Sequence, residues 1–511
     1  MAVTEVGTTR PRLCLAILSL VLFVTFLDNT ILGAALADIQ NAFHAGITAL
    51  QWVVSAYALA FAALMLTFGT LGDHLGRRRM MMAGLAVFTL GSVISAAANS
   101  SALLIVGRVI MGVGAAASEP GTLSMIRQLY PGGEERAQAL GVWSAVSGLA
   151  LALGPVIGGA LDGVWSWRAI FVFNVAVGLI ALVGVREILP EIVTPQRRRF
   201  DVPGYILGAL TITGATFATI SGETNGFSTW WIELLYVLSA LALIGFLMVE
   251  RKAEEPVLDL HFFRSPMFVT GNSLAFTSYF STFSVFFFIP LYIELLGNTS
   301  SYALAVDFIP MAACMIGASA LSGFWIGRVG PGLPMVVGSI AAGVGIIVTN
   351  EYITTTSGIE LFGWSLVLVG AGLGVVMVAV TTAVLGAVPA ERSGMSASAV
   401  NTSRELGAVA GVTVLGAILY GQITSSLLHR LDAIPGLPHA AREQAVVAVT
   451  TGNLPTKGPL VKVVGAVLPG VATAFTDGLN LVLATAAALM LASALLAVAL
   501  VRRERADSLN R

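Results

Sequence analysis

The sequence predicts an all-α polytopic membrane protein with fourteen spans. The first observation is composition: the 511 residues are 56% hydrophobic and only 11% charged, whereas a soluble domain carries about 25% charge. The second is mean hydropathy, +0.88 over the whole chain. The third is patterning. Apolar runs recur at or near the ~20 residues that a helix needs to cross a bilayer, and none shows the roughly ten-residue alternation of a membrane barrel. The net charge of −1 says nothing about nucleic acid, and no basic patch suggests such a partner, so none is expected. Cys14 and Cys314 both lie in apolar runs, which speaks against a disulfide framework or a metal site. No phosphate loop or catalytic triad is present, so neither enzymatic activity nor a cofactor is expected.

The first run, Leu13 to Ala37, follows Arg10 and Arg12. It exceeds the 7–15 residues of a signal-peptide core and reads as an uncleaved first span. It also contains Asp28, Asn29 and Thr30. A carboxylate at membrane depth costs roughly 2.5–3.5 kcal/mol on insertion scales. It is kept either as a satisfied structural group inside a bundle or as a group that binds and releases a coupling ion. Further spans are expected near 51–73, 80–98, 102–127, 137–161, 167–188, 202–222 and 231–250. The remainder are expected near 268–293, 302–327, 331–350, 359–388, 405–425 and 478–501.

Charge sets the expected orientation. With both termini cytoplasmic, only Arg168, Arg430, Arg442, Lys457 and Lys462 of the 27 Lys and Arg fall outside, and Arg108 falls within a span. Two polar inner linkers, 186–200 and 250–266, bracket spans seven and eight. The chain therefore divides as six, two and six spans: residues 1–190, 191–265 and 266–511. The last unit includes a long outer segment at 422–477. Within that segment, Ala440 to Val449 reads as a short surface helix and Val461 to Ala474 as interfacial.

Several motifs stand out. Gly69, Gly72, Asp73, Gly76, Arg77, Arg78 and Arg79 close span two on the inner side; the glycines allow close helix approach and the arginines hold the loop inside. In span four, Glu119 follows Arg108 by eleven residues, close to three turns, so the two share a face. Arg108 and Asp28 lie within roughly 5 Å of the same depth and pair if their helices touch. Span five carries Gly148, Gly154, Pro155, Gly158 and Gly159, with a smooth stripe expected along 148, 152, 155 and 159 and a kink at Pro155. Asp307 enters span ten three residues before Pro310, while Glu405 is expected at the inner mouth of span thirteen and less buried. Span nine has an aromatic stripe, Phe276, Phe280, Phe283 and Phe287, flanked by Tyr279 and Phe286. Such a stripe serves either bundle and lipid packing or the binding of flat apolar or cationic ligands.

Together these motifs resemble the fourteen-helix drug:proton antiporter branch of the major facilitator superfamily. Leu27-Asp28-Asn29-Thr30-Ile31 is similar to that branch's first-helix motif, and residues 69–79 resemble motif A. Arg108-x-x-x-Gly112-x-Gly114-Ala115-Ala116 resembles motif B, and 148–159 resembles motif C, the antiporter motif. Trp167-Arg168 through Asn174 resembles the entry to helix six, and Asn401-Thr402-x-Arg404-x-x-Gly407 the entry to helix thirteen. Departures are Met111 where motif B has Gln, Gly33 where the first-helix motif is followed by Asn, and a second-half counterpart of motif A, 323–330, without its acid. The resemblance implies the major facilitator fold, two halves rocking around a midplane cavity, and a monomeric unit in the inner (plasma) membrane. It implies export of amphipathic or cationic drugs against protons. Asp28, Glu119, Asp307 and Arg108 are then candidates for proton coupling. Glu119, Phe276, Tyr279, Phe280, Phe283 and Phe287 are candidates for substrate contact. Gly69, Asp73, Gly76, Arg77, Gly148, Gly154, Pro155, Gly158 and Gly159 are candidates for the conformational change. The alternatives are a dedicated exporter of one metabolite, such as an antibiotic or siderophore, and a non-transporting lipid-handling or sensing protein.

Overall fold

A backbone that crosses hydrocarbon must satisfy its own hydrogen bonds, so apolar runs of this length fold as helices. The computed structural model describes residues 10–130, 133–191, 202–253, 260–296, 301–355, 359–388, 393–432, 437–450 and 460–509. Fourteen helices among the described residues are long and apolar enough to cross a membrane, and those residues contain no strand.

The first eight helices are α1 (Pro11–Thr30), α2 (Leu36–Phe43), α3 (Ile47–Leu75), α4 (Arg77–Ala96), α5 (Ser101–Ser118), α6 (Pro120–Leu129), α7 (Gly133–Val164) and α8 (Arg168–Ile188). A 3-10 turn at Ile31–Ala35 joins α1 to α2, so the first span is one long broken helix. The fourth span is likewise broken, into α5 and α6, at Glu119-Pro120. Proline lacks an amide donor and crowds the preceding turn. The linker pair is α9 (Val202–Asn225) and α10 (Trp230–Glu250). The second half comprises α11 (Pro266–Leu296), α12 (Ser301–Val329), α13 (Gly332–Tyr352), α14 (Ile359–Gly386), α15 (Ser393–Asp432), α16 (His439–Thr450) and α17 (Leu460–Leu509).

Two elements differ from expectation. Span thirteen does not begin at Glu405: α15 starts at Ser393, so Asn401, Arg404 and Glu405 lie two to three turns inside it. Their polarity lowers the local hydropathy, but the helix continues because Asn401, Arg404 and one oxygen of Glu405 find partners on other helices. Val461 to Ala474 is not a separate interfacial segment but the first turns of α17, a continuous helix of 50 residues. The short surface helix expected near 440–449 is present as α16.

Packing brings α7 against α12 and α3 against α15, the two principal seams between the halves. Helix α9 packs on both α3 and α15 and so lies along the second seam. Glycines set the close approaches. A Cβ at Gly112 would meet the Tyr57 carbonyl, and one at Gly407 would meet the backbone of Phe276. Gly33 packs directly on the Phe286 carbonyl, so the 3-10 turn of the first span touches α11 with no room for a side chain. That contact gives a physical reason for glycine where the first-helix motif has Asn. Gly76 (φ +101°) and Gly330 (φ +76°) close α3 and α12 in the left-handed region, so the two halves use the same device at equivalent turns.

Candidate functional site

Successive residues on a helix point about 100° apart, so Asp28, Asn29 and Thr30 reach three different neighbours. Asp28 forms an ion pair with Arg108 Nη1 and accepts from Asn174 Nδ2 at 2.6 Å. Arg108 also donates from Nε to the Val53 carbonyl at 2.9 Å and lies 4.6 Å over the Tyr57 ring. Tyr57 in turn donates to the Thr25 carbonyl at 2.7 Å. Asp28 and Arg108 are both fully buried. Their depth match in the sequence thus corresponds to a real contact. Thr30 donates to the Leu151 carbonyl of α7 at 2.9 Å.

Asn29 points across to the other half. Its Nδ2 donates to Glu405 Oε1 at 3.2 Å. A reciprocal bond runs the other way, with Asn401 Nδ2 on α15 donating to Glu119 Oε1 at 3.1 Å. The break at Pro120 places Glu119 between α5 and α6, where Thr122 donates to its carbonyl at 2.7 Å and is itself held by Trp143 Nε1 at 3.0 Å. Arg404 orients Asn401: its Nη1 donates to Asn401 Oδ1 at 3.1 Å, while Nη2 donates to Thr381 at 2.6 Å and to the Met377 carbonyl at 3.2 Å. The Tyr279 ring lies 5.7 Å from the Arg404 guanidinium. Glu119 is 0% and Glu405 1% exposed, which corrects the expectation that Glu405 sits less buried at the inner mouth. Its partner Asn29 is supplied by the distant first span, a contact that local composition does not encode.

The aromatic stripe faces this region. Phe280, Phe283, Phe286 and Phe287 are buried, Phe276 is half-buried, and Phe276 and Phe280 stack at 6.1 Å. Phe283, Phe286 and Phe287 line a small cavity together with Asn29, Thr30, Gly33 and Val54. It has room for about one water, far below the 300–1,000 Å³ of a drug-sized pocket. The halves are closed around it. Asp307 is half-buried near the start of α12.

The residues expected to serve the conformational change fall at contacts between elements. In α7, Gly154 packs on Thr30 and Gly158 on the Ile31 carbonyl. The glycines that face the first span are therefore Gly154 and Gly158. Of the stripe 148, 152, 155 and 159, Gly148 faces α12, where a Cβ would meet Ser319 at 3.4 Å, Gly159 is buried, and Pro155 lies inside the helix. Toward the end of α3, a Cβ at Gly69 would meet Pro120 at 3.4 Å, so α3 packs closely against the break beside Glu119. Glu191 packs against Gly76 and pairs with Arg79 at 3.6 Å. Arg77 begins α4, and the side chain of Asp73 lies outside the described residues. Residue 73 follows Gly69 by one turn in α3, away from Asp28 and Glu405, and Asp73→Asn is expected to slow turnover by about tenfold, within the range of coupling between separate sites. Substrate affinity should hold; lost affinity with unchanged turnover in a transport assay would be the contrary result.

The family model described as Major Facilitator Superfamily matches residues 18–412. The chain belongs to the major facilitator superfamily. Its relatives in that superfamily include the Tetracenomycin C resistance and export protein of Streptomyces glaucescens, 32% identical over 97% of this chain and 92% of that one. The Multidrug resistance protein Stp of Mycobacterium tuberculosis is 31% identical over 81% of this chain and 77% of that protein. The Multidrug efflux pump LfrA of Mycolicibacterium smegmatis is 29% identical over 95% of each. Among solved structures, a bacterial homologue of the human lysosomal transporter Spinster, in an inward-facing and occupied conformation, superposes with a TM-score of 0.60. It is 16% identical and covers 96% of both chains, a likeness of fold. Within this superfamily fold, the polar residues that join the halves include Asn29 with Glu405 and Asn401 with Glu119, while Arg404 supports Asn401 from its own half and Asn174 stands behind Asp28. For Asn29, Asn401 and Asn174 the signal was an uncharged amide in or beside an apolar span, and it is weaker than the signal of a buried charge.

Proposed function

We propose that the chain is a proton-coupled exporter of amphipathic or cationic organic compounds that works by alternating access in the plasma membrane. The observation that carries this reading is the reciprocal pair of amide–carboxylate bonds between the halves, Asn29 to Glu405 and Asn401 to Glu119, beside a cavity at Asn29 too small for a drug. A drug-sized molecule enters only if the halves part, and parting breaks both bonds. Two carboxylates are then uncovered, each able to take up a proton or a cation. Asp28, held by Arg108 and Asn174, is the third acid of the same core. Protons moving inward down the potential supply about 2.3 kcal/mol per charge per 100 mV. The fold and the names of the resistance and efflux relatives support an exporter rather than an enzyme.

A second reading, a dedicated exporter of one metabolite, is favoured by the nearly full-length similarity to a protein named for resistance to and export of a single compound. Purified protein in liposomes with an imposed pH gradient, tested with a panel of neutral and cationic dyes, separates the two. The first reading expects several unrelated dyes to move and proton flux to accompany them. A single transported compound favours the second, and no exchange of protons for any compound sinks the coupled reading. In the same assay Glu119→Gln, which keeps the acceptor for Asn401 but loses the charge, is expected to cut export of cationic dyes by about tenfold and neutral ones less. Equal loss for both classes would assign Glu119 to general proton coupling.

A further inference from the structure

Glu119 and Glu405 each give one oxygen to an amide from the opposite half. The other oxygen of each, Oε2, is buried and has no hydrogen-bond partner, and neither does Asn29 Oδ1. Buried carboxylate oxygens without donors are costly. The charged groups facing Glu405 are Glu119, from the α5–α6 hinge, and Arg404, from its own helix. Tyr57 of α3 and Tyr279 of α11 face the same groups as neutral rings. Asp28 and Arg108 neutralise one another. With both glutamates ionised, the remaining cluster lacks one positive charge and two N–H donors.

We propose that Glu405 is a substrate-binding acid that acts with Glu119, and that the pair takes one cationic group bearing N–H donors, a protonated amine or an amidinium, between the two halves. This rests on the export reading above and names the chemistry of its site. One N–H reaches Oε2 of Glu119 and another reaches Oε2 of Glu405, so a single group satisfies acids from both halves. Charge-assisted bonds of this kind are the strong ones, and a planar amidinium offers two in parallel. A quaternary ammonium matches the charge but donates no hydrogen bond. The aromatic stripe beside the cluster accommodates the apolar remainder of such a ligand.

The test is binding to purified full-length protein in lipid nanodiscs, read by fluorescence. The probes are dansylcadaverine, a primary ammonium, and its N,N,N-trimethyl analogue. The native protein is expected to bind the primary ammonium at least about tenfold more tightly. Glu405→Gln retains the acceptor for Asn29, and its thermal stability serves as the folding check. It is expected to weaken dansylcadaverine binding by about tenfold and to bring the two probes within about threefold of each other. Native protein that binds both probes alike, or neither, overturns the proposal, as does native-like affinity in Glu405→Gln. Proton-driven transport is scored separately in liposomes. Preference without coupled transport would sink the export reading and leave this site standing.

Discussion

Asp28→Asn is expected to abolish gradient-driven export while leaving the fold assembled but weakened. Asparagine has nearly the same shape but keeps one of the two oxygens that accept from Arg108 and Asn174, and it can neither carry the negative charge nor exchange a proton. The cost to stability follows from the surroundings. Arg108 is fully buried, and removing one partner of a buried ion pair costs about 3–5 kcal/mol because the remaining charge is uncompensated. Its bond to the Val53 carbonyl and its position over Tyr57 soften that cost without supplying a charge. A second variant separates the two effects. Asp28→Asn with Arg108→Gln removes both charges, so thermal stability should return toward native while export stays lost. Liposome transport under a pH gradient, alongside thermal unfolding in the same lipid, makes the comparison. Native export rates in the double variant would remove Asp28 from coupling and leave the pair a structural one.

What the sequence reveals of this core depends on whether a residue's partner is local or distant. The number of spans was legible because each needs only its own apolar length. The Asp28–Arg108 pair was legible because both are charges in apolar runs and their depths match by helical rise alone. Glu405 was misplaced because the run Asn401-Thr402-Ser403-Arg404-Glu405 looks like a loop until Asn29 and Thr381 are seen to satisfy it from other helices. Asn174 was a family landmark without a role, since nothing local says that it reaches Asp28. The aromatic stripe was visible by spacing, but whether it faced lipid or the bundle required the packing of α11 on α15, set by Gly407 and Gly411. In span five the glycines were visible but not which of them face the first span. Periodicity gives a face and not the neighbour behind it.

Gly154→Leu is expected to arrest the exchange between conformations and with it nearly all transport. In the closed arrangement a Cβ at 154 would lie 2.8 Å from Thr30 Cβ and 2.9 Å from the Thr30 carbonyl carbon, with the Thr30 hydroxyl closer still. One of these atoms is backbone, and the Thr30 hydroxyl is tied to the Leu151 carbonyl of the same helix, so rotation of a side chain does not relieve the clash. Gly158, one turn on, meets the Ile31 carbonyl, so the helices cannot slide to make room. Overpacking of this kind typically costs about 1–3 kcal/mol, and more where backbone must move. A penalty of ~2.7 kcal/mol borne by one conformation alone shifts an even equilibrium about 100-fold toward the other. α7 also forms the seam with α12 of the second half, so forcing it off the first span displaces that seam, and the cycle stops for want of a closed form. Gly154→Ala should show the same shift more weakly. Gly148→Ala should be mild, since its Cβ would meet Ser319 at an ordinary 3.4 Å. Cysteine accessibility from both sides of the membrane, or spin-label distances between α7 and α12 across the seam, reads the populations directly. Equal labelling of both forms in Gly154→Leu, with transport retained, would show that this contact opens and closes without limiting the cycle.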